Sequence, residues 1–542
     1  MGKRQTRERP HSRLFTARYA LLAWAFFLFA LLVMTRLGHY ALWDDEAGTA
    51  LTAKGVLRTG DTSVVVDHGN ILAFRNGLDV RGFCDHSMPP LEAYLTAASF
   101  KLFGVDAWAA RLPFALLGVA TVALILFWAR RESWPALLVL SLGLLGNVSL
   151  ILFFRQCRYY APSIFFSTAI AFIYWRGKSN PRHLVALAGL SILLFLSNYL
   201  GYVALYAGLA VDYVFWKRKE WPFSWRNGLL LFGPQILVNG AAACIWNPFL
   251  TAHGAYATSN SLWDRLTLFF WYWSGMNECE FCVLPILLLA LGVGLTLRRV
   301  WLVRGCVAIL VYVTVITAVS PQPVSLTSVA DVRYVVAIIP LAVALEAGAL
   351  CILFERRTIL LVGAALLVFG TNLFNGGPFL DSGFRSTILC YAGELLHPQS
   401  EPNTPTAQWI NEHVPEGGSI WVLPDYEIQP LMFHAPRALY AWQLNWPPRP
   451  DFAGLPPIYF IGREPPDYLI AFGPSLNEMA QAIRSWNRPD VSYRQVATIN
   501  VFWQELYRPE LFWRTFEPIT NFDPNTQAVY IFQRTKPPIP AR

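Results

Sequence analysis

Three consecutive acids, Asp44, Asp45 and Glu46, follow the first long apolar segment of the chain, which runs from Tyr19 to Leu37. Adjacent carboxylates repel one another, so a helix that only has to leave a membrane gains no stability from them. A carboxylate at a membrane surface can, however, take a proton from a hydroxyl or amide group of an acceptor molecule. The simpler interpretation is that the acids only mark the boundary between lipid and water.

Four arginines lie at predicted helix ends on the same side of the membrane as these acids: Arg111, Arg155, Arg158 and Arg333. Basic residues normally collect on the cytoplasmic side of membrane proteins, so arginines on the opposite face indicate a specific binding or structural role. A guanidinium group can bind phosphate oxygens through two hydrogen bonds, and a helix amino terminus also favours an anion. The alternative for each arginine is a contact with a lipid head group or with one of the acids.

An acid beside several phosphate-binding groups suggests the transfer of a sugar from a lipid-linked phosphate donor. The carboxylate would deprotonate the acceptor. The arginines would hold the leaving phosphate and stabilise its charge while its bond to the sugar breaks. A donor with a long lipid tail enters sideways from the bilayer, which explains a site at the membrane boundary.

The composition is that of a polytopic α-helical membrane protein. Hydrophobic residues make up 55% of the 542 positions and charged residues only 14%, whereas soluble proteins carry about 25% charged residues. The net charge of +8 does not indicate nucleic acid, because the basic residues collect in short loops at predicted membrane ends. The first apolar segment precedes acids, not a small-residue cleavage site, and therefore predicts a retained anchor.

Hydropathy and segment length predict about eleven spanning helices, with thirteen as the upper bound. The predicted spans are 18–38, 108–129, 135–154, 161–176, 183–199, 200–216, 227–247, 282–298, 302–320, 332–353 and 357–374. Basic residues occupy the amino-terminal segment and every second loop, as the positive-inside rule requires. The amino-terminal ones are Lys3, Arg4, Arg7, Arg9 and Arg13. We therefore expect a multi-pass protein of the inner (plasma) membrane with a cytoplasmic amino terminus.

Residues 1–374 form the predicted membrane domain, and its first loop outside the cytoplasm covers about residues 39–107. Within that loop, residues 91–103 are predicted to form a helix along the membrane interface. Its Tyr94, Phe100 and Phe103 side chains are predicted to contact lipid.

The remaining residues, 375–542, are predicted to form an α/β domain in the periplasm or extracellular space. Polar residues and prolines become more frequent there, and short strand-like runs appear. These runs are Ser419–Leu423, Tyr468–Phe472, Val496–Trp503 and Ala528–Phe532.

Four motifs stand in a fixed order between about residues 15 and 355. They are Trp43–Ala47, then Met88–Tyr94 with Leu102–Gly104 and Ala110–Pro113, then Arg155–Tyr160, and last Arg333-Tyr334 with Pro340. This ordered set resembles the GT-C glycosyltransferases, in the branch that contains the protein O-mannosyltransferases and the aminoarabinose transferase of lipid A. Members of that family often carry a variable domain outside the cytoplasm at the carboxyl end.

The resemblance implies an inverting glycosyltransferase with a polyprenyl-phosphate-linked sugar as donor and a lipid, glycan or protein as acceptor. It implies that Asp45 acts as general base or positions the acceptor, and that Glu46 orients it, with Asp44 in reserve. Arg158 and Arg333 would contact the donor phosphate. The wider predicted donor site also contains Arg155, Tyr159, Tyr160, Tyr334 and His86.

One position departs from the family pattern. Relatives of the aminoarabinose transferase type carry a phosphate-binding Lys immediately before Pro-Pro-Leu, and this chain has Met88 there. His86, two residues earlier, either takes over that polar role or is an ordinary loop histidine.

No metal-ligand spacing is evident in the sequence, and dependence on a divalent cation is left open. Cys279 and Cys282 have the spacing of a disulfide pair. They can bond to each other or to Cys84, or remain free thiols.

Two other functions fit parts of the pattern. A transporter or flippase for a lipid-linked anion would use the basic outer face, although the predicted helices lack the internal repeats and mid-membrane charges that transporters usually show. A polymerase or ligase of surface polysaccharide would share the site and the lipid donor.

Overall fold

The structure is a computed structural model that describes residues 10–177, 180–222, 224–248, 261–320, 331–376, 383–398, 400–485, 491–501 and 528–535. The basic residues Lys3, Arg4, Arg7 and Arg9, on which the predicted orientation depends, lie outside these ranges. The loop predicted at 321–331 also lies outside them, apart from Asp331.

Helices dominate the first 370 residues. The helices up to residue 103 are α1 (Pro10–Met34), α2 (Asp44–Thr59), α3 (Phe74–Gly77) and α4 (Leu91–Phe103). The helices that follow are α5 (Ala107–Ala129), α6 (Trp134–Gly146), α7 (Val148–Phe154), α8 (Tyr160–Arg176), α9 (Pro181–Phe195), α10 (Tyr199–Phe215), α11 (Trp225–Ile245), α12 (Leu262–Glu278), α13 (Leu284–Thr296), α14 (Val300–Val319), α15 (Ile339–Leu353) and α16 (Thr358–Gly370). A 3-10 helix, Val332–Ile338, leads directly into α15.

The described residues contain five helical segments that are long and apolar enough to cross a membrane. They are Ala17–Met34, Ala107–Ala129, Trp225–Ile245, Val300–Val319 and Val332–Leu353. A sixth is obtained if α6 and α7 count as one bent span, and five further apolar helices are 10–17 residues long. The chain is therefore a membrane protein, and the count of about eleven spans stays a prediction.

The span predicted at 135–154 is wrong as a single helix, because it breaks at Asn147. The axes of α6 and α7 meet there at 61°. The Asn147 side chain accepts a hydrogen bond from the amide of Leu150 at 2.8 Å and so caps a new helix. The preceding Gly146 packs so closely that a Cβ atom would lie 2.0 Å from the carbonyl oxygen of Phe369. The bend aims the segment 155–159 toward the start of α2, which it contacts through hydrogen bonds.

The first loop contains the predicted helix at 91–103, which the structure confirms as α4. The expectation that Phe100 contacts lipid is wrong. Its ring is 3% exposed and stacks on Phe433 at 6.1 Å between centroids, so this face of α4 is covered by protein. Phe103 is 55% exposed.

A two-stranded hairpin, β1 (Val80–Arg81) and β2 (Cys84–Asp85), also lies in the first loop. The carboxyl-terminal part holds the helices α17 (Thr387–Leu396), α18 (Asn403–His413), α19 (Ile428–His434) and α20 (Ser475–Ser485). Its strands are β3 (Ser419–Leu423), β4 (Leu439–Tyr440), β5 (Tyr468–Phe472), β6 (Ser492–Asn500) and β7 (Ala528–Thr535).

The five carboxyl-terminal strands form one mixed sheet in the order β4-β3-β5-β7-β6. Strand β3 runs parallel to β4 and β5, and β7 runs antiparallel to β5 and β6. The sheet edge at β4 touches the first loop, where Asn70 donates to the Ala438 carbonyl at 2.8 Å and accepts from the Tyr440 amide at 2.9 Å. These bonds join the first loop to the carboxyl-terminal sheet.

Candidate active site

The three predicted acids lie in the first turn of α2, a helix that the sequence analysis did not identify. Helix amino termini carry partial positive charge, which stabilises acidic side chains there. The helix ends at Thr59, and the next residue, Gly60, has a φ of 81°, which suits a residue without a side chain. A Cβ atom at position 48 would lie 2.4 Å from the Oε1 atom of Gln429 in α19, so a larger residue there would displace the Gln429 side chain. The acids therefore occupy the first turn of a helix that packs against α4 and α19.

The Asp45 carboxylate lies between two arginines from distant parts of the chain. Its Oδ2 atom is 2.7 Å from Nη1 of Arg333 and 3.3 Å from Nη2 of Arg158. Arg333 is oriented by Asp331, whose Oδ2 atom accepts from its Nε at 2.8 Å. Arg158 also reaches the Thr49 hydroxyl at 3.3 Å. The structure thus brings together three of the residues predicted to carry the chemistry.

Two polar atoms in this cluster are buried and make no hydrogen bond within the described residues: Nε of Arg158 and the hydroxyl of Tyr159. Buried polar groups in proteins nearly always have partners. Two buried donors without a partner, beside two guanidinium groups, have the chemistry that an anion with several oxygens requires.

Aromatic side chains surround this position. The Arg158 guanidinium lies 5.5 Å from the centre of the Tyr159 ring, and the Tyr159 and Tyr160 rings meet edge to face at 4.6 Å. Tyr334 lies close enough to Tyr159 to interact with it electrostatically. Burial raises the pKa of the Tyr159 hydroxyl well above its usual value. This hydroxyl therefore remains a neutral hydrogen-bond donor at every physiological pH.

Arg158 remains protonated and positively charged despite its burial. Burial by itself lowers the pKa of its guanidinium, but the Asp45 carboxylate and the nearby tyrosines outweigh that effect and raise it. Glu92, in α4, lies close enough to Arg158 to interact with it electrostatically, and burial raises the pKa of its carboxyl to about 8. The Ser197 hydroxyl donates to Glu92 at 2.7 Å. Glu92 is therefore largely neutral at pH 7 and does not compete with Asp45 for the positive charge of Arg158.

Glu46 has a different environment from Asp45. It is 0% exposed, and Arg111 donates to both of its oxygens, from Nε at 2.9 Å and from Nη2 at 2.5 Å. The amide of Cys157 donates to the same carboxylate at 2.7 Å. The remaining Arg111 donors bind backbone carbonyls, including that of Tyr40 at 2.8 Å. This buried pair joins α2 and α5 to the segment 37–41 that follows α1, and the Cys157 amide connects it to the loop that carries Arg158.

Asp44 and Arg155 make mainly backbone contacts. Asp44 accepts a hydrogen bond from the amide of Asp45 at 2.7 Å. The Arg155 guanidinium donates to the carbonyls of Val33 and Thr35, each at 2.7 Å. Arg155 thereby satisfies carbonyl groups at the end of α1, and no described contact joins it to Asp45.

His86 does not join the arginine cluster in any described contact. Its Nε2 atom is 3.0 Å from both carboxylate oxygens of Asp61, and its ring meets Trp246 edge to face at 6.0 Å.

Sequence reasoning missed Thr49 and Asp331. Both had a signal: Thr49 is four residues after Asp45, one helical turn on the same face, and Asp331 is two residues before Arg333.

The residues around Asp45 suit an anion better than a divalent cation. Two guanidinium groups already bind the carboxylate, and their charge opposes a metal ion. Among the described residues, the group of three possible metal ligands lies elsewhere, at Asp61, Cys84 and His86. Cys279 and Cys282, for which a disulfide was considered, are buried free thiols.

Comparisons with known proteins show the fold. No protein-family model matches the chain. A 149-residue stretch is 28% identical to an uncharacterised protein of Aquifex aeolicus and covers only 27% of either chain. ArnT from Cupriavidus metallidurans, in a crystal structure with undecaprenyl phosphate bound, is similar over 95% of this chain and 97% of its own, with a TM-score of 0.54 at 12% identity. The apo state of that protein gives 0.53 at 14% identity.

A second protein of known structure is similar over a smaller part of its length. The Archaeoglobus fulgidus oligosaccharyltransferase in its apo form matches 86% of this chain and 71% of its own, with a TM-score of 0.50 at 10% identity. The chain therefore has the GT-C fold.

Proposed function

We propose that this chain is a membrane glycosyltransferase that takes a sugar from a polyprenyl-phosphate-linked donor. The observation that carries the proposal is the carboxylate of Asp45 between Arg158 and Arg333, beside a buried guanidinium Nε and a Tyr159 hydroxyl that have no partner within the described residues. The likeness to a protein solved with undecaprenyl phosphate bound supports a lipid of that class.

The donor phosphate would occupy the position between the two arginines and Tyr159. Its oxygens would accept hydrogen bonds from Arg158, Arg333 and the Tyr159 hydroxyl, and charge-assisted bonds of this kind are the strong ones. The guanidinium groups would then turn from Asp45 to the phosphate, which leaves the Asp45 carboxylate available to an acceptor. Binding of the donor would thus prepare the base.

In the transfer step, Asp45 takes the proton of the acceptor hydroxyl or amide as that atom bonds to the anomeric carbon. The bond from this carbon to the phosphate oxygen breaks, and the polyprenyl phosphate leaves with its negative charge held by Arg158 and Arg333. Attack from the face opposite the phosphate inverts the anomeric centre. The acceptor is a lipid, a glycan or a protein.

The exposure of the acids supports Asp45 as the reacting one. The Asp45 side chain is 27% exposed, whereas that of Glu46 is fully buried and saturated by Arg111. Glu46 would position Asp45 and Arg158 through the start of α2 and the Cys157 amide. Asp44 is the nearest substitute acid. We leave Arg155 and His86 out of the donor site because their contacts lie elsewhere.

A cavity of about 780 Å³ lies among α5, α8, α10, α14 and α15. Its walls include Ile338 and Pro340, which follow Arg333 in the chain, and Arg304 lies at its lining as well. The walls are mainly apolar, so part of the polyprenyl chain would lie there while its phosphate binds at Arg333.

The proposed orientation puts α2 and the sheet β3–β7 outside the cytoplasm of a cell-envelope membrane. Polyprenyl-phosphate sugars presented on that face would reach Asp45 directly. The carboxyl-terminal residues, from about 375, would be a separate extracytoplasmic domain that covers the first loop.

The proposal is tested with the purified full-length protein in lipid vesicles. Polyprenyl-phosphate-linked sugars with different head groups are supplied together with lipid, glycan and peptide acceptors. The expected result is release of polyprenyl phosphate and sugar transfer to one acceptor class, both lost in Asp45→Asn. Movement of the intact donor across the vesicle membrane, without cleavage of the sugar–phosphate bond, would instead show a transporter.

A further inference from the structure

One carboxylate, one thiol and one imidazole meet in the first loop, at Asp61, Cys84 and His86. One ligand atom from each of these side chains lies within 4.8 Å of the other two. The His86 Nε2 atom is 3.0 Å from both Asp61 oxygens. All three side chains are half-buried. No other set of three such ligands occurs in the part of the chain that the structure describes.

The backbone holds these side chains on both sides. The strand β2 pairs with the segment that follows α2: the Asp85 amide donates to the Thr62 carbonyl at 2.9 Å, and the Thr62 hydroxyl donates to the Asp85 carbonyl at 2.7 Å. Residues two apart in an extended strand point to the same face. Cys84 and His86 therefore face the same way, toward Asp61.

The geometry and the chemistry of this set match a transition-metal site. Zinc binds cysteine sulfur at about 2.3 Å and histidine nitrogen or carboxylate oxygen at about 2.0–2.2 Å, so tetrahedral ligands stand about 3.3–3.8 Å apart. The present spacing reaches those values with small side-chain rotations. An aspartate and a thiolate supply two negative charges, which balance a divalent ion. The thiolate and imidazole ligands favour zinc over magnesium or calcium.

We propose that Asp61, Cys84 and His86 bind a zinc-class divalent metal ion, with a fourth coordination position left open. The site is separate from the proposed reaction centre. The 16 residues of α2 make a helix about 24 Å long at 1.5 Å per residue, and Asp45 and Asp61 stand at its opposite ends. The metal ion ties the hairpin β1–β2 to the end of α2 and so fixes the loop that leads into α4.

The aromatic side chains around the site leave one side open to a ligand. Trp246 packs against the His86 ring at 6.0 Å and against the Tyr94 ring at 6.3 Å. Tyr94 donates to the Gly60 carbonyl at 2.9 Å, next to Asp61. These contacts hold His86 in place without using its Nε2 atom. The fourth metal ligand is water from the half-exposed side.

The test uses the full-length protein in detergent, stripped with a chelator and then titrated with Co²⁺ and with Zn²⁺. Tetrahedral Co²⁺ bound to a thiolate absorbs in the near ultraviolet through charge transfer and in the visible range. We expect a single equivalent of Co²⁺ with both bands, its displacement by Zn²⁺, and a rise in the thermal unfolding midpoint with Zn²⁺.

Variants assign the ligands. Cys84→Ser is expected to lose the charge-transfer band, and His86→Ala and Asp61→Asn are expected to weaken Zn²⁺ binding at least 10-fold. His68→Ala is the matched control, because His68 lies in the same loop and pairs with a carboxylate of Glu416 at 3.4 Å. It should bind Co²⁺ as the wild type does.

A wild-type protein that binds no Co²⁺, or that binds it without a thiolate band, overturns the proposal and leaves a hydrogen-bonded trio. The same holds if Cys84→Ser binds as tightly as the wild type. If a variant does not fold, the Co²⁺ spectrum of the wild-type protein still shows whether a metal ion binds through a thiolate. None of these readouts depends on sugar transfer.

Discussion

Arg158 and Arg155 are three residues apart, yet their guanidinium groups make different kinds of contact. Arg158 reaches the Asp45 carboxylate at 3.3 Å, while the described hydrogen bonds of Arg155 all go to carbonyl groups at the end of α1 and just after it. The Arg155 guanidinium also lies 6.0 Å from the centre of the Tyr391 ring. One of them faces the proposed donor and the other holds two helices together.

This difference predicts opposite results for the two alanine variants. Arg158→Ala should weaken the binding of polyprenyl phosphate by about 10- to 150-fold, since a hydrogen bond to a charged group contributes about 1.5–3 kcal/mol. Arg155→Ala should bind the lipid as the wild type does, with a lower thermal unfolding midpoint. Titration of the purified proteins with polyprenyl phosphate measures both. An equal loss of affinity in the two variants would contradict the assignment.

Asp45→Asn is expected to lower the transfer rate by about 10²- to 10⁴-fold, the usual contribution of a general base. The amide keeps the shape of the side chain, so the unfolding midpoint should change little. The matched control is Asp67→Asn, which removes an acid of the same loop that pairs with Lys54 at 2.6 Å. Transfer at the control rate by Asp45→Asn would remove Asp45 from the mechanism.

Glu46→Gln should damage folding before it damages chemistry. It leaves Arg111 charged in a site where its side chain is 6% exposed, and the loss of one partner from a buried ion pair costs about 3–5 kcal/mol. We expect a lower yield and a lower thermal midpoint, measured by size-exclusion chromatography and thermal unfolding. The double variant Glu46→Gln, Arg111→Met should recover part of the loss. A fully stable single variant would show that the pair is not structural.

Glu92 predicts a pH dependence of stability. Burial raises the pKa of its carboxyl from 4.5 to about 8 in the folded protein, so the folded state binds more protons than the unfolded state between these values. Stability from this group is therefore full below about pH 4.5 and is lost as the pH rises toward 8. Glu92→Gln, which cannot ionise, should unfold at a higher temperature than the wild type at pH 8.5 and at a similar one at pH 5. Parallel pH profiles of the two proteins would contradict this.

Local patterns in the sequence predict part of this structure. The helix at 91–103 and the strand-like run at 419–423 match α4 and β3 residue for residue, because each is a continuous apolar or amphipathic run. The helix α2 was not predicted, because glycines at positions 48 and 55 lower helix propensity. Their role is close packing: a Cβ atom at Gly55 would lie 2.0 Å from the Ser63 carbonyl.

The site could be predicted by residue type but not by contact. An arginine at a helix end reads the same in sequence whether it faces a ligand or a carbonyl group. The 61° bend between α6 and α7 and the contacts of residues 155–158 with the start of α2 are tertiary features that the sequence does not display. Asp61 and Cys84 are 23 positions apart in the sequence, so no local pattern indicates that they lie close together in space.

The pairing of Asp45 with Arg333 across 288 positions has a consequence for biosynthesis. At about 5–20 residues per second, the ribosome makes Arg333 roughly 15–60 s after Asp45. During that interval the acid has left the ribosome without this partner, and the first loop must wait for the last third of the membrane helices. A nascent chain stopped before residue 333 would therefore carry Asp45 with Arg158 but without Arg333, which leaves the proposed phosphate site incomplete. Under that proposal, fragments of the membrane domain divided between these residues would have to reassemble before they could bind the lipid.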